Sequence, residues 1–253
     1  MPVERLNPNI LASTGKKGEK MDRIEAIARI HTDFPEKFGI PRQSGVVAEL
    51  KGKIVFEPAY RNPDCIRGLE EFSHIWLIWL FSKNLDDDNK SKWSPTVRPP
   101  RLGGNERKGV FATRSPFRPN PLGLSAVKIE KIVKESDEGP VIYVTGADMV
   151  DGTPIFDIKP YIPYADSIPG AKGGFTDSTE YRTLSVVWDT SEDEIAEIPE
   201  DIRNSLQKIL SNDPRPHYQN DSERLYGMSF AGYEIKFNVE GEVLHVKNIT
   251  RKR

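Results

Sequence analysis

Between Trp93 and Gly123 the chain reads WSPTVRPPRLGGNERKGVFATRSPFRPNPLG, and this is where residue types and spacing point most directly to chemistry. Arg98, Arg101, Arg107, Lys108, Arg114 and Arg118 stand against a single acid, Glu106, in a chain whose net charge is -2. An arginine fork donates two parallel hydrogen bonds, which suits phosphate and carboxylate. The flanking prolines fix φ and keep the loops extended, and Gly103-Gly104 permits close backbone approach. The segment is read as a preorganised anion or RNA site, with a structural loop carrying solvated charges as the alternative.

A second group follows a β-like run. Asp148, Asp151 and Asp157 lie near strand ends, where carboxylates bind ribose hydroxyls or accept a proton. Each also has a structural reading: Asp151-Gly152 as a turn, Asp157 as the partner of Lys159 or an arginine.

Familiar nucleotide signatures fail. Gly104 and Gly109 have the first spacing of a phosphate loop, but Val110-Phe111 stands where Lys-Ser/Thr is required. No G-x-G-x-x-G follows a strand, so a nucleoside cofactor would need a scaffold other than the dinucleotide crevice. His31, His74, His217 and His245 are scattered without a second ligand at metal spacing, and no metal site is expected. The one cysteine, Cys65, excludes an intrachain disulfide and reads as packing in a reducing cytoplasm. No apolar leader opens the chain, and the longest apolar run, Ile75–Phe81, is too short to span a bilayer.

The elements that must position these groups are mostly short strands. Ile24–Ile30, Val46–Leu50, Ile54–Phe56, Ile75–Phe81, Gly109–Thr113, Ser125–Val133 and Val141–Gly146 are β-like runs, most of them bounded by turn residues. Ile75–Phe81 reads as a strand buried on both faces, with Trp76 and Trp79 adding aromatic surface. Many short strands without long helical periodicity predict a barrel or sandwich.

Residues 1–22 are polar and read as a flexible lead-in; residues 23–188 form the β domain; residues 189–253 form a small α+β domain. The division falls where seven acids crowd Asp189–Asp201, a solvated linker or helix start. Ile202, Leu206, Ile209 and Leu210 then recur at helical spacing, and the helix ends before Asp213-Pro214. Alternation through Tyr233, Ile235, Phe237 and Val239, the Glu240-Gly241 turn and Val243–Ile249 predict a hairpin.

These residues carry a family resemblance. Pro41-Arg42-Gln43-Ser44-Gly45, Arg67-Gly68-Leu69-Glu70, Phe72-Ser73-His74, the Arg98–Asn105 loop, the string from Gly109 to Gly123, Asp151-Gly-Thr-Pro and Asp157-Ile-Lys-Pro-Tyr161 resemble the TsaA-like family from about Ile24 to Asp166. The string from Gly109 to Gly123 is highly specific. Asp213-Pro-Arg-Pro-His-Tyr218 resembles the family's small C-terminal domain. The resemblance implies a closed, non-Rossmann β-barrel that binds S-adenosylmethionine, and a homodimer with the cofactor near the subunit interface. It implies methylation of the exocyclic nitrogen of threonylcarbamoyladenosine beside the anticodon of tRNA.

By the same resemblance, cofactor contacts map onto Gln43, Ser44, Gly45, Phe81, Ser82, Arg114, Leu124, Thr145, Gly146, Ala147 and Asp148. Ser82 stands where close relatives can carry His, and the loop before Asp151 is one residue shorter than in some relatives. On chemical grounds Arg114 suits a carboxylate or phosphate, Phe81 a sulfonium, and Asp148 a ribose hydroxyl or a proton. Arg98, Arg101, Arg107 and Arg118, with Asn120, suit anticodon-loop phosphates and the target base; Arg114, Arg118, Asn120 and Asp148 are the candidate catalytic set. Two rival readings are a methyltransferase of a small metabolite and an RNA-binding module without catalysis.

Overall fold

A computed structural model describes residues 24–88, 90–99, 106–179, 183–215 and 221–252. The expected lead-in 1–22, Arg101 and the Gly103-Gly104 pair lie outside these residues, as do His217 and Tyr218.

Six strands close into a barrel: β1 (Ala28–Thr32), β2 (Lys51–Phe56), β3 (His74–Leu80), and, after the two short strands β4 (Thr96–Val97) and β5 (Lys108–Gly109), β6 (Leu122–Val133), β7 (Val141–Thr145) and β8 (Thr153–Pro160). Around the barrel the order is β1-β2-β7-β6-β3-β8, and β8 pairs with β1 to close it. Every pairing is antiparallel. Closure removes sheet edges and turns one side of every strand inward, so each strand contributes alternate residues to the core. Ala28, Ile30, Ile54, Ile75, Leu77, Val127, Ile142, Val144 and Ile155 fill it. The fold is therefore mainly β, with a closed barrel in place of a doubly wound sheet.

Local expectations fared unevenly. Val46–Leu50 is a run of turns rather than a strand, because Val47 and Leu50 are anchored three residues apart in a second core. Gly109–Thr113 is also not a strand: β5 ends at Gly109 and a single 3-10 turn takes Val110–Ala112. β3 alternates instead of being buried on both faces, with Ile75, Leu77 and Trp79 inside and Trp76 leaning on Tyr161 at the surface. β8 carries no clear strand pattern in the sequence, because Pro154 and Asp157 break its apolar run.

The second core belongs to a four-stranded sheet of β9 (Ser185–Trp188), β10 (Tyr226–Phe230), β11 (Tyr233–Glu240) and β12 (Val243–Arg251), in the order β10-β11-β12-β9. The β11–β12 hairpin is as its alternation predicts. β9, on the N-terminal side of the division expected at Asp189, pairs in parallel with β12. After the short helix α1 (Pro163–Asp166), the acidic stretch forms α2 (Glu192–Ala196), started by a Ser191/Glu194 capping box. Then α3 (Glu200–Ser211) buries Leu206, Ile209 and Leu210 against the sheet. Beyond α3, Arg215 and Asp213 form a buried two-bond ion pair.

One excursion joins the two cores. Between β1 and β2, residues 33–50 leave the barrel, and Phe34, Phe38, Ile40, Val47 and Leu50 pack into the second core. Among the described residues no helix is long and apolar enough to cross a membrane.

Candidate functional site

The 33–50 excursion brings Gln43-Ser44-Gly45 beside the turn that follows β7. Gly45 N–H donates to Gly146 O at 3.0 Å. Both glycines have positive φ, 76° and 80°, and a Cβ on Gly146 would come within 3.3 Å of Gly45 Cα. A side chain at Gly146 would thus meet backbone while adopting a conformation that L-residues rarely take.

Asp148 ends this turn and is partly buried. Ser125 Oγ donates to its Oδ1 at 2.7 Å, and Trp79 Nε1 in turn donates to Ser125 Oγ at 3.0 Å. The Ser44 backbone N–H and the Arg114 charge favour the carboxylate, yet burial outweighs both and lifts the pKa to about 6. Arg114, exposed on the proline-rich loop, donates through Nη1 to Gln43 Oε1. Phe81 leans on Trp79 with ring centroids 4.2 Å apart, and its N–H is held by Pro121 O.

One place therefore collects Gln43, Ser44, Gly45, Arg114, Gly146, Ala147 and Asp148, with Phe81 joined through Trp79. Thr145 is the last residue of β7, paired with Lys51 and Lys128. Ser82 opens the 3-10 turn after Phe81. Leu124 adjoins Ser125 in β6 but turns outward, 57% exposed.

The basic loop divides into two kinds of arginine. Arg98 and Arg107 are exposed next to the β4–β5 pair, Arg107 donating to Thr96 Oγ1 at 2.9 Å. Arg118 instead braces its own loop: Nη1 donates to Thr113 O at 2.7 Å and Val110 O at 3.1 Å, and its guanidinium lies over the exposed Phe111 ring. Asn120 is exposed and uses its carbonyl to accept from Leu122 N–H. The three aspartates also separate. Asp151 accepts from Thr32 N–H and contacts His31, fixing the turn into β8, while Asp157 pairs with Lys159 at 2.9 Å. Only Asp148 reaches the glycine turns.

Sequence reasoning passed over Trp79 and Ser125 as site residues. The available signal was alternation: Trp79 and Ser125 are inward positions on the paired strands β3 and β6, where a buried indole N–H needs an acceptor.

Comparison with known proteins gives the family of the chain. The tRNA-methyltransferase O N-terminal domain model matches residues 29–167, and the corresponding C-terminal domain model matches residues 182–252. The chain belongs to the tRNA-methyltransferase O family. It is 39% identical over 226 residues to the tRNA (adenine(37)-N6)-methyltransferase of Escherichia coli (strain K12), covering 87% of this chain and 93% of that protein. The crystal structure of TrmO from Pseudomonas aeruginosa superposes with a TM-score of 0.69 at 27% identity, covering 91% of this chain and 99% of the other. A protein of Pyrococcus abyssi (strain GE5 / Orsay) named "Probable S-adenosyl-L-methionine-binding protein" is 31% identical over 156 residues, 62% of this chain and 77% of its own length. All but Ala28 of the buried residues of the two cores fall within the family models, and the C-terminal model covers the second sheet.

Proposed function

We propose that this protein is an S-adenosylmethionine-dependent tRNA methyltransferase acting on N6 of the adenosine at tRNA position 37, the position named for its Escherichia coli relative. The observation that carries the proposal is the convergence of Arg114, Gln43 and Asp148 on the paired glycine turns. The donor set fits the cofactor: a guanidinium for its carboxylate, a partly buried acid for its hydroxyls and Phe81 for its cationic sulfur. Gln43, Ser44, Gly45, Phe81, Ser82, Arg114, Leu124 and the Thr145–Asp148 turn would hold it. When bound, S-adenosylmethionine supplies a methyl group on a sulfonium.

The protein's own part is positioning and proton handling. Arg114, kept in place by Gln43, orients the donor. Asp148 accepts from the Ser125 hydroxyl and from the Ser44 backbone N–H, and its remaining lone pairs suit a ribose hydroxyl. With a pKa of about 6 it is also suited to take the proton released as the adenine nitrogen forms its new bond. We take the acceptor to be threonylcarbamoyladenosine, whose carbamoyl group acidifies that N–H and lowers the demand on the base. Arg98, Arg101 and Arg107 suit the phosphates of the anticodon loop, where an unstacked base is accessible at small cost. Arg118 and Asn120 shape the loop that faces the base.

The same reading places the enzyme in the cytoplasm, as a homodimer with the cofactor near the subunit interface. It divides the chain into a barrel domain at 23–188 and an α+β domain at 189–253, with β9 structurally part of the second sheet. The experiment is transfer from labelled S-adenosylmethionine to tRNA pools with and without the threonylcarbamoyl group, followed by nucleoside mass analysis. Label confined to the modified adenosine is expected. Cofactor binding without transfer to either pool would overturn the substrate assignment.

A further inference from the structure

Leu50 has its two ends in different parts of the molecule. Its side chain is 3% exposed, packed in the core of the C-terminal sheet. Its carbonyl accepts from Gly146 N–H at 2.8 Å and Ala147 N–H at 3.3 Å, the two residues immediately before Asp148. Val47, buried in the same core, is two residues past Gly45, and Gly45 N–H returns to Gly146 O. At the other end of the turn, Arg42 Nη2 donates to the carbonyl of Arg215 at 3.3 Å, just beyond α3. The Gln43–Gly45 turn is therefore fastened on both flanks to the C-terminal unit, and through Leu50 that unit also holds the turn leading to Asp148.

We infer that the C-terminal unit is a working part of the cofactor site, with Leu50 and Val47 as positioning residues that set the Gln43–Gly45 and Gly146–Asp148 turns for S-adenosylmethionine. The inference rests on the cofactor reading proposed above. Its physical basis is that close packing transmits displacement. A core side chain shortened at Leu50 lets the local backbone settle inward, and the carbonyl that fixes two turn amides goes with it. A binding constellation loosened by about an ångström loses much of its affinity. The surface pairs Lys51–Asp201 and Lys208–Glu49 lie on the same seam but are about half-exposed, and contribute little.

The test uses the full chain. Leu50→Ala is compared with Leu244→Ala, a fully buried leucine of the same core on β12 that bears neither turn, and with the volume-conserving Leu50→Met. Two quantities are read well below the melting temperature: the dissociation constant for S-adenosylmethionine, and hydrogen exchange at the amides of Gly45, Gly146 and Ala147 without cofactor. Leu50→Ala is expected to weaken binding about tenfold and to speed exchange at all three amides, while Leu50→Met restores both. Leu244→Ala, at a similar loss of melting temperature, is expected to leave both near the wild-type values. If Leu50→Ala does not fold, Val47→Ala takes its place with the same expectation. Equal weakening by Leu244→Ala, or unchanged binding in Leu50→Ala while Arg114→Ala loses it, overturns the inference alone. A wild-type protein that binds no S-adenosylmethionine overturns the site assignment and the inference with it.

Discussion

Trp79 and Ser125 are inward-facing diagonal neighbours on the paired strands β3 and β6, the indole N–H donating to Ser125 Oγ at 3.0 Å, while that hydroxyl donates onward to Asp148. A barrel core is thereby wired to a carboxylate at its rim. The hydroxyl proton is committed to Asp148 because the indole can only donate. The β3–β8 register shifts between Ile78 and Trp79, a bulge that marks a bend in the strand next to the site.

The raised pKa of Asp148 makes it a cost to stability at neutral pH. Its folded value of about 6 exceeds the ordinary 3.8, so the native state holds the proton more tightly. The contribution favours folding fully below pH 3.8 and is lost as pH rises through about 6. At about 1.4 kcal/mol per pH unit the ceiling is about 3 kcal/mol. Asp148→Asn is expected to raise the melting temperature at about pH 7.5 and to lose that advantage near pH 3.5, while lowering methyl transfer sharply. Thermal melts across this pH range check the sign.

Gly123 gives the indole its room. A Cβ at this position would lie 2.2 Å from Trp79 Cε2. Gly123→Ala must push the ring away or bend the strand, an overpacking cost of about 1–3 kcal/mol. A lower melting temperature is expected, together with a shift in the pH dependence of transfer as Ser125 loses its donor. Ser125→Ala should reproduce the pH shift with a smaller stability loss.

Arg114 is expected to act through geometry as well as charge. Arg114→Lys keeps the charge but loses the planar fork, and should weaken S-adenosylmethionine binding by roughly 10- to 100-fold, in line with about 1.5–3 kcal/mol for a charged hydrogen bond. Gln43→Leu, which removes the acceptor holding the guanidinium, should give a smaller loss in the same direction. Calorimetric titration separates the two.

The arginines of the central loop should fail differently. Arg98→Ala and Arg107→Ala remove exposed charges, so tRNA affinity should fall and the slope of log K against log salt should shrink by about 1 for each phosphate no longer neutralised. Arg118→Ala removes the brace on the Val110 and Thr113 carbonyls. It is expected to loosen the loop, with faster proteolysis there, and to lower transfer even at saturating tRNA. A salt titration of binding with a proteolysis time course distinguishes these outcomes.

The sequence by itself determined the chemistry available and most of the local structure. Arg114 and Arg118 sit in a segment dense in Pro, Gly and Arg, the β11–β12 hairpin is written in strict alternation, and α3 in its four apolar positions and the Asp213-Pro214 stop. These are short-range properties, set by backbone sterics and periodicity within a few residues. Tertiary structure alone decided which carboxylate matters. Asp148, Asp151 and Asp157 are equivalent as residue types, and burial with a hydroxyl partner from another strand singles out Asp148. It also decided that Val46–Leu50 is not a strand. Two apolar residues three apart fit either state, and only the second core, built mostly from residues more than a hundred positions later, makes the turn the better choice. The link from that core to the Gln43–Gly45 turn depends on contacts distant in sequence, for which no local pattern exists.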